Sequence, residues 1–118
     1  MRNTFFNNVL SFSLTIIFVV SPFLFSKEII VSNSGFLRSI KQAVQLAEPK
    51  DTIVIKSGIY AEGNIIIDKS IIIRGEGNPV IDGRSEGEIF TVVASNVKIS
   101  EMMIKNSGIS YLKENAGI

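Results

Sequence analysis

The chain has no cysteine, no histidine and no tryptophan. Without cysteine there is no disulfide, no lipoprotein anchor and no thiolate metal site. Without histidine, the commonest general base near neutral pH and the commonest metal ligand are both missing. Aromatic residues make up only 8% of the chain, which argues against a platform for stacking sugars. Strong charge of either sign is missing too: 12 Lys and Arg stand against 11 Asp and Glu, for a net +1. Removing residues 1–26 takes away only Arg2 and leaves the rest neutral. A neutral chain offers no electrostatic grip on nucleic acid or an anionic membrane, so neither is expected as a partner. The 118 residues are enough for one modest domain.

What is present begins with an apolar run. Arg2 is followed by Val9 to Phe25, interrupted only by Ser11, Ser13, Thr15, Ser21 and Pro22; the next charge is Lys27. A basic start and a short apolar core predict a secretory signal peptide over residues 1–26, removed after Ser26. Leu24 at the third position before that cut is bulkier than the small residue preferred there. The alternative is a retained membrane anchor, for which about 17 apolar residues is at the short limit. Either way the body of the chain is expected outside the cytoplasm.

Residues 27–118 form the predicted domain. Lys27 to Val31 is a short extended segment, followed by the polar turn Ser32-Asn33-Ser34-Gly35. Phe36, Leu37, Ile40, Ala43, Val44 and Ala47 recur at helical spacing, which predicts an amphipathic helix of about three turns over Phe36 to Ala47. Ser32 or Ser34 is its expected cap. Pro49 ends it, because proline cannot continue the backbone ladder.

Beyond Pro49 the pattern changes to short β-branched runs: Ile53 to Ile55, Ile65 to Ile67, Ile71 to Ile73, Val80-Ile81, Phe90 to Val92, Val97 to Ile99 and Met102 to Ile104. Between them lie Gly, Asn, Asp, Ser and Lys, the residues of tight turns. Ile65 to Ile89 spans 24 residues, Ile72 to Lys98 spans 26, and Ile81 to Ile104 spans 23. A repeat in the low-to-mid twenties marks a solenoid. Hairpin sandwiches favour longer strands and a polar solvent face, whereas the two isoleucine triples are apolar on both faces. The middle residue of each triple is expected to face outward.

The prediction is therefore all-β: a right-handed parallel β-helix whose first coils are covered by the amphipathic helix. A solenoid end exposes core and strand edges, and a terminal cap is needed for solubility. Only about two and a half coils are expected, and Asn115-Ala116-Gly117-Ile118 has the pattern of a turn leading into another strand. At least three repeats are normally needed for stability. The expectation is thus a truncated domain that aggregates or stays partly unfolded alone.

No constellation for catalysis emerges. Glycoside hydrolysis needs two carboxylates at a fixed separation, and no Asp-Asp pair occurs. Asp82-Gly83 is expected to be a turn in which Asp82 bonds its own backbone and Gly83 takes positive φ. Glu86 and Glu88 are expected to be solvated. A lyase would want clustered acids for calcium and a basic residue; Asp51, Asp68 and Asp82 belong to different turns, with Arg74 and Arg84 near the Glu76–Asp82 stretch. Met102-Met103 alone hints at copper, since thioethers suit Cu(I). Successive strand residues face opposite ways, so one methionine is expected in the core and the other on the surface. Asn96 and Asn106 are candidates for a stacked asparagine ladder.

The order of motifs resembles a known family. Pro49 to Ile55 with Ser57-Gly58-Ile59-Tyr60 looks like its first coil. Lys69 to Gly77 with Val80-Ile81-Asp82-Gly83 looks like its second. Asn96 to Ile99, Ile104 to Gly108 and Asn115 to Ile118 look like its third. Over roughly residues 35 to 118 this series is similar to the start of the NosD family, periplasmic β-helix proteins of nitrous oxide reductase maturation. The resemblance implies a non-enzymatic accessory role beside an ABC transporter permease and ATPase, assembling the copper–sulfur centre of nitrous oxide reductase. It implies membrane association only through those partners. No metal ligand carries over to a position here, so no cofactor is expected in this segment and copper only in the full-length protein. The other readings are an extracellular polysaccharide lyase or hydrolase with its active site in further coils, and a purely structural surface solenoid.

Overall fold

The computed structural model describes residues 25–112. The expected leader falls outside these residues except for Phe25 and Ser26, and Asn115 to Ile118 also falls outside them. Ten strands and one helix follow in order: β1 (Glu28–Val31), α1 (Ile40–Leu46), β2 (Thr52–Lys56), β3 (Ile59–Ala61), β4 (Ile65–Ile67), β5 (Ile72–Glu76), β6 (Val80–Asp82), β7 (Phe90–Val92), β8 (Lys98–Ser100), β9 (Met103–Lys105) and β10 (Ile109–Tyr111).

Every pairing between strands is parallel and joins strands of successive coils. The first sheet runs β1-β2-β5-β8, the second β3-β6-β9 and the third β4-β7-β10. Three sheets wound in sequence make a parallel β-helix, as the period predicts. The registers Ile72↔Lys98 and Ile81↔Ile104 reproduce two of the expected spacings. The third is shifted by one residue, since Ile65 pairs with Phe90 and not Ile89. The first coil is shorter than the second: Thr52 pairs with Ile72, 20 residues on.

The expected two and a half coils are too few, because the solenoid makes about four turns. β1 is a leading rung paired to β2 over four residues. The short strands β3 and β10 are end rungs of the second and third sheets, paired to β6 and β7.

The core is a stack of apolar side chains inside the three sheets. Ile53, Ile55, Ile65, Ile67, Ile73, Ile81, Phe90 and Val92 are all fully buried. Burying an Ile or Phe side chain contributes about 1.5–3 kcal/mol. The outward middle residues behave as expected: Ile66 is 60% exposed and Ile72 37%. Val54 also points outward but is buried, outside the main core cluster.

The helix is shorter than predicted. It begins at Ile40, and Phe36 is exposed. The turn before it is the reason, because the Ser32 N–H donates to the Leu37 carbonyl at 3.0 Å and holds that segment out of the helix. Ser39 is the cap, not Ser32 or Ser34: its hydroxyl accepts the Gln42 N–H at 3.2 Å. Ile40, Ala43 and Val44 form the buried face, packed on β4, β1 and β2. The helix thus covers the first rung, where Val31, Ile53 and Ile65 are fully buried. Ile99, Ile104 and Ile109 of the last described rung are only half-buried.

The first coil holds both helix ends. The Glu62 carboxylate accepts N–H bonds from Ile40 at 2.7 Å and Lys41 at 3.2 Å, and the Ser39 hydroxyl donates to it at 3.0 Å. At the other end the Lys69 ammonium donates to the carbonyls of Val44, Gln45 and Ala47 at 2.7–3.1 Å. An acid at the amino end and a base at the carboxyl end both complement the helix dipole.

Candidate functional site

The outer face of the first sheet gathers unlike polar groups. Strand alternation sends Glu28, Thr52, Lys56, Ile72, Arg74, Glu76, Lys98 and Ser100 outward from four stacked rungs. Lys56 and Glu76 are register partners and form a 2.7 Å ion pair. Arg74 bridges Glu28 at 3.5 Å and Glu76 at 3.8 Å. Beside this network lies a depression of about 380 Å³ lined by Thr52, Ile72, Arg74, Lys98, Ser100 and Glu101.

The hydrogen bond from the Lys56 ammonium, with the attraction of Lys56 and Arg74, holds the Glu76 carboxyl below the usual glutamate range. Glu76 is therefore an acceptor near neutral pH and not a proton donor. The face combines cations, hydroxyls and two carboxylates on a parallel sheet. Such a surface can bind a polar or charged partner, but it pairs no nucleophile with a base.

Asp82 forms the expected turn. Its Oδ1 accepts the Arg84 N–H at 2.9 Å and the Asn106 side-chain amide at 2.8 Å. The Asn106 bond first, and the Arg84 amide second, lower its pKa. Gly83 corrects the expected reason for its place: Arg84 and Ser85 take the positive φ values, not Gly83. A Cβ on Gly83 would lie 2.8 Å from both Ile89 Cγ1 and Ser107 Cβ, so close packing of the next coil requires the glycine. Asn106 thus joins an Asp82–Asn106 pair between coils, and no asparagine–asparagine bond occurs among the described residues. Asn96 and Asn106 instead share with Asn64 and Asn78 a left-handed corner conformation.

The fold separates the other candidates. Arg74 and Glu76 belong to the first sheet. Asp82 ends a strand of the second, and Arg84 donates to the Ala61 carbonyl at 2.8 Å. Asp68, Glu86 and Glu88 are exposed. Among the described residues no three acidic side chains gather into one cluster. Met103 is 50% exposed while Met102 packs against the core, so the two sulfurs face apart as expected.

Among the described residues Asp51 is the buried charged one, with its side chain 3% exposed. Its carboxylate accepts the Lys27 and Glu48 backbone N–H groups, each at 2.8 Å, and pairs with the Lys27 ammonium at 2.8 Å. Burial alone would raise its pKa. The Lys27 ammonium and the two N–H donors outweigh burial and hold it below the usual range. This site and the Glu62 and Lys69 clamps carry little local signal: apart from Glu48, three residues before Asp51, their partners lie more than 20 residues away. Lys56 and Glu76, one coil apart, carried a usable signal.

No family model, no curated protein and no solved structure matches this chain.

Proposed function

We propose that this chain is a non-catalytic, exported β-helical scaffold of the NosD kind. In this reading it serves maturation of the copper–sulfur centre of nitrous oxide reductase beside an ABC transporter. The family resemblance suggests the pathway, and the fold is compatible with it.

One observation carries the non-catalytic part. Four polar side chains with catalytic potential are engaged in holding the structure together, Asp51 to β1, Glu62 and Lys69 to the helix and Asp82 to Asn106, while Asp68, Glu86 and Glu88 stand exposed and apart. A catalytic acid or base needs a free reacting atom and a matched pKa, and Asp51, Glu76 and Asp82 are all pushed further toward the ionised form. What the first sheet offers outward is a rigid polar surface, suited to a protein partner.

Deleting the full gene and measuring copper content and activity of nitrous oxide reductase tests the reading. Loss of copper at the catalytic centre with intact reductase protein is the expected result. Normal reductase in the deletion strain overturns it. Cleavage of a polysaccharide by the purified protein would favour the enzyme reading instead.

A further inference from the structure

The strongest unassigned feature is the carboxylate of Asp51. It is nearly fully buried, yet it spends one oxygen on a backbone N–H at the point where the expected leader meets the domain. That donor is the Lys27 nitrogen, 2.8 Å from Oδ1. The other oxygen takes the Lys27 ammonium and the Glu48 N–H. Immediately before this nitrogen, Phe25 is 77% exposed and Ser26 is exposed. Immediately after it, the Lys27 carbonyl accepts the Thr52 N–H at 3.0 Å and begins the pairing of β1 with β2.

We propose that the bond between Ser26 and Lys27 is a processing site, and that Asp51 is the receptor for the α-ammonium group its scission creates. The proposal rests on the leader reading of residues 1–26. Scission is hydrolysis by a leader peptidase. Water adds across the bond, its hydroxyl going to the Ser26 carbonyl carbon and its hydrogen to the Lys27 nitrogen. The new carboxyl proton then passes to the amine, leaving a carboxylate on Ser26 and an ammonium on Lys27.

The site is built for that product. The nitrogen already points one hydrogen at Oδ1, so the ammonium keeps this bond without backbone movement. Its two new hydrogens face the side vacated by Phe25 and Ser26, where water reaches them. Charge also comes into balance. Before scission the carboxylates of Asp51 and Glu48 face one ammonium, the Lys27 side chain, and Glu48 acts on it through its charge alone. After scission two ammonium groups face two carboxylates. A hydrogen bond from a charged donor is about twice as strong as one from a neutral amide. Processing thus tightens the first rung of the solenoid at the point where the leader departs.

The test uses the full chain expressed with its leader and recovered after export. Intact mass gives the first residue, and site-resolved acylation at pH 7 gives the reactivity of the α-amine. A free α-amine has a pKa of about 7.7–8.0 and reacts readily. On Asp51 it stays protonated, so a chain beginning at Lys27 should acylate about tenfold more slowly when folded than in urea, the effect of one unit of pKa. Asp51→Asn should abolish that protection; if this variant does not fold, the comparison of folded and urea-unfolded wild type decides. A retained leader overturns the leader reading and the proposal with it. A chain beginning at another residue overturns the processing site. A chain beginning at Lys27 that acylates equally fast folded and unfolded overturns Asp51 as its receptor.

Discussion

The Glu62 carboxylate lies 2.7 Å from the amide nitrogen of Ile40, so a loop of the first coil closes the amino end of the only helix among the described residues. The helix is seven residues long, too short to persist without its contacts. Glu62→Ala should therefore cost about 1–2 kcal/mol, the usual loss of a helix cap. Glu62→Gln should recover part of it, since the amide oxygen still accepts but the charge that complements the dipole is gone. Urea midpoints of the three proteins check the order wild type, Gln, Ala.

Asp51 gives the solenoid an acid-sensitive joint. Its folded pKa lies below its unfolded one, so protonation favours the unfolded chain. The stability it contributes is complete above the ordinary carboxylate value, near pH 4, and is lost as pH falls through the folded pKa. Glu76 and Asp82 shift the same way, but both are solvent-screened and add less. Asp51→Asn should cost about 2–3 kcal/mol at pH 7, mostly through the two backbone N–H bonds, because Lys27 is half exposed. The measurement is stability against pH from 7 to 3. Wild type should fall steeply at the acid end and the variant should be flatter; parallel curves would contradict the assignment.

Gly63 and Gly75, on either side of β4, should respond oppositely to alanine. A Cβ on Gly75 would run into the Glu101 carbonyl oxygen and lie 2.7 Å from Pro79 Cδ. Glu101 holds a left-handed corner with φ of 61° and cannot simply withdraw. Gly75→Ala should cost about 3 kcal/mol through overpacking. At Gly63 the nearest atom is 3.5 Å away and the backbone φ is not positive. Gly63→Ala should be neutral or stabilising by about 0.5 kcal/mol, through a less free unfolded chain. Thermal melts of both variants settle the contrast.

These contacts also mark how far the sequence alone could be read. The parallel coil was legible because burial inside a solenoid selects β-branched residues at every rung, and turns of fixed geometry select Gly, Asn and Asp between them. The capping helix was legible from Ile40, Ala43, Val44 and Ala47, yet its start was misplaced. Phe36 and Leu37 fit the period, but the bond from the Ser32 amide to the Leu37 carbonyl outcompetes the helix there. β3 and β10 were missed as strands because three residues with exposed ends, such as Ile59 and Ala61, carry no alternation to detect. Asp51 and Lys69 fit the pattern of turn residues, and nothing in the local pattern singles out Glu62. Except for the Glu48 N–H on Asp51, the partners of all three are set by how coils stack, which no local pattern encodes. Within the polar face, the 20-residue offset from Lys56 to Glu76 equals one coil, so a known register would have exposed that pair.

The isoleucine triple of β4 offers a direct measure of the inside–outside alternation on which the coil reading stands. Ile65 and Ile67 are fully buried, whereas Ile66 between them is 60% exposed. Ile65 packs beneath the helix, in the rung the helix covers, and its register partner Phe90 lies below it. Ile65→Ala should leave a cavity that neither neighbour can fill and cost about 3 kcal/mol. Ile66→Thr keeps the β-branched shape on the outer face and removes apolar surface that water already reaches. It should change stability by less than about 0.5 kcal/mol. Chemical denaturation of the two variants reads the difference. Equal losses would mean that Ile66 is covered in solution, and hence that the outer face of the third sheet meets a partner or another part of the chain.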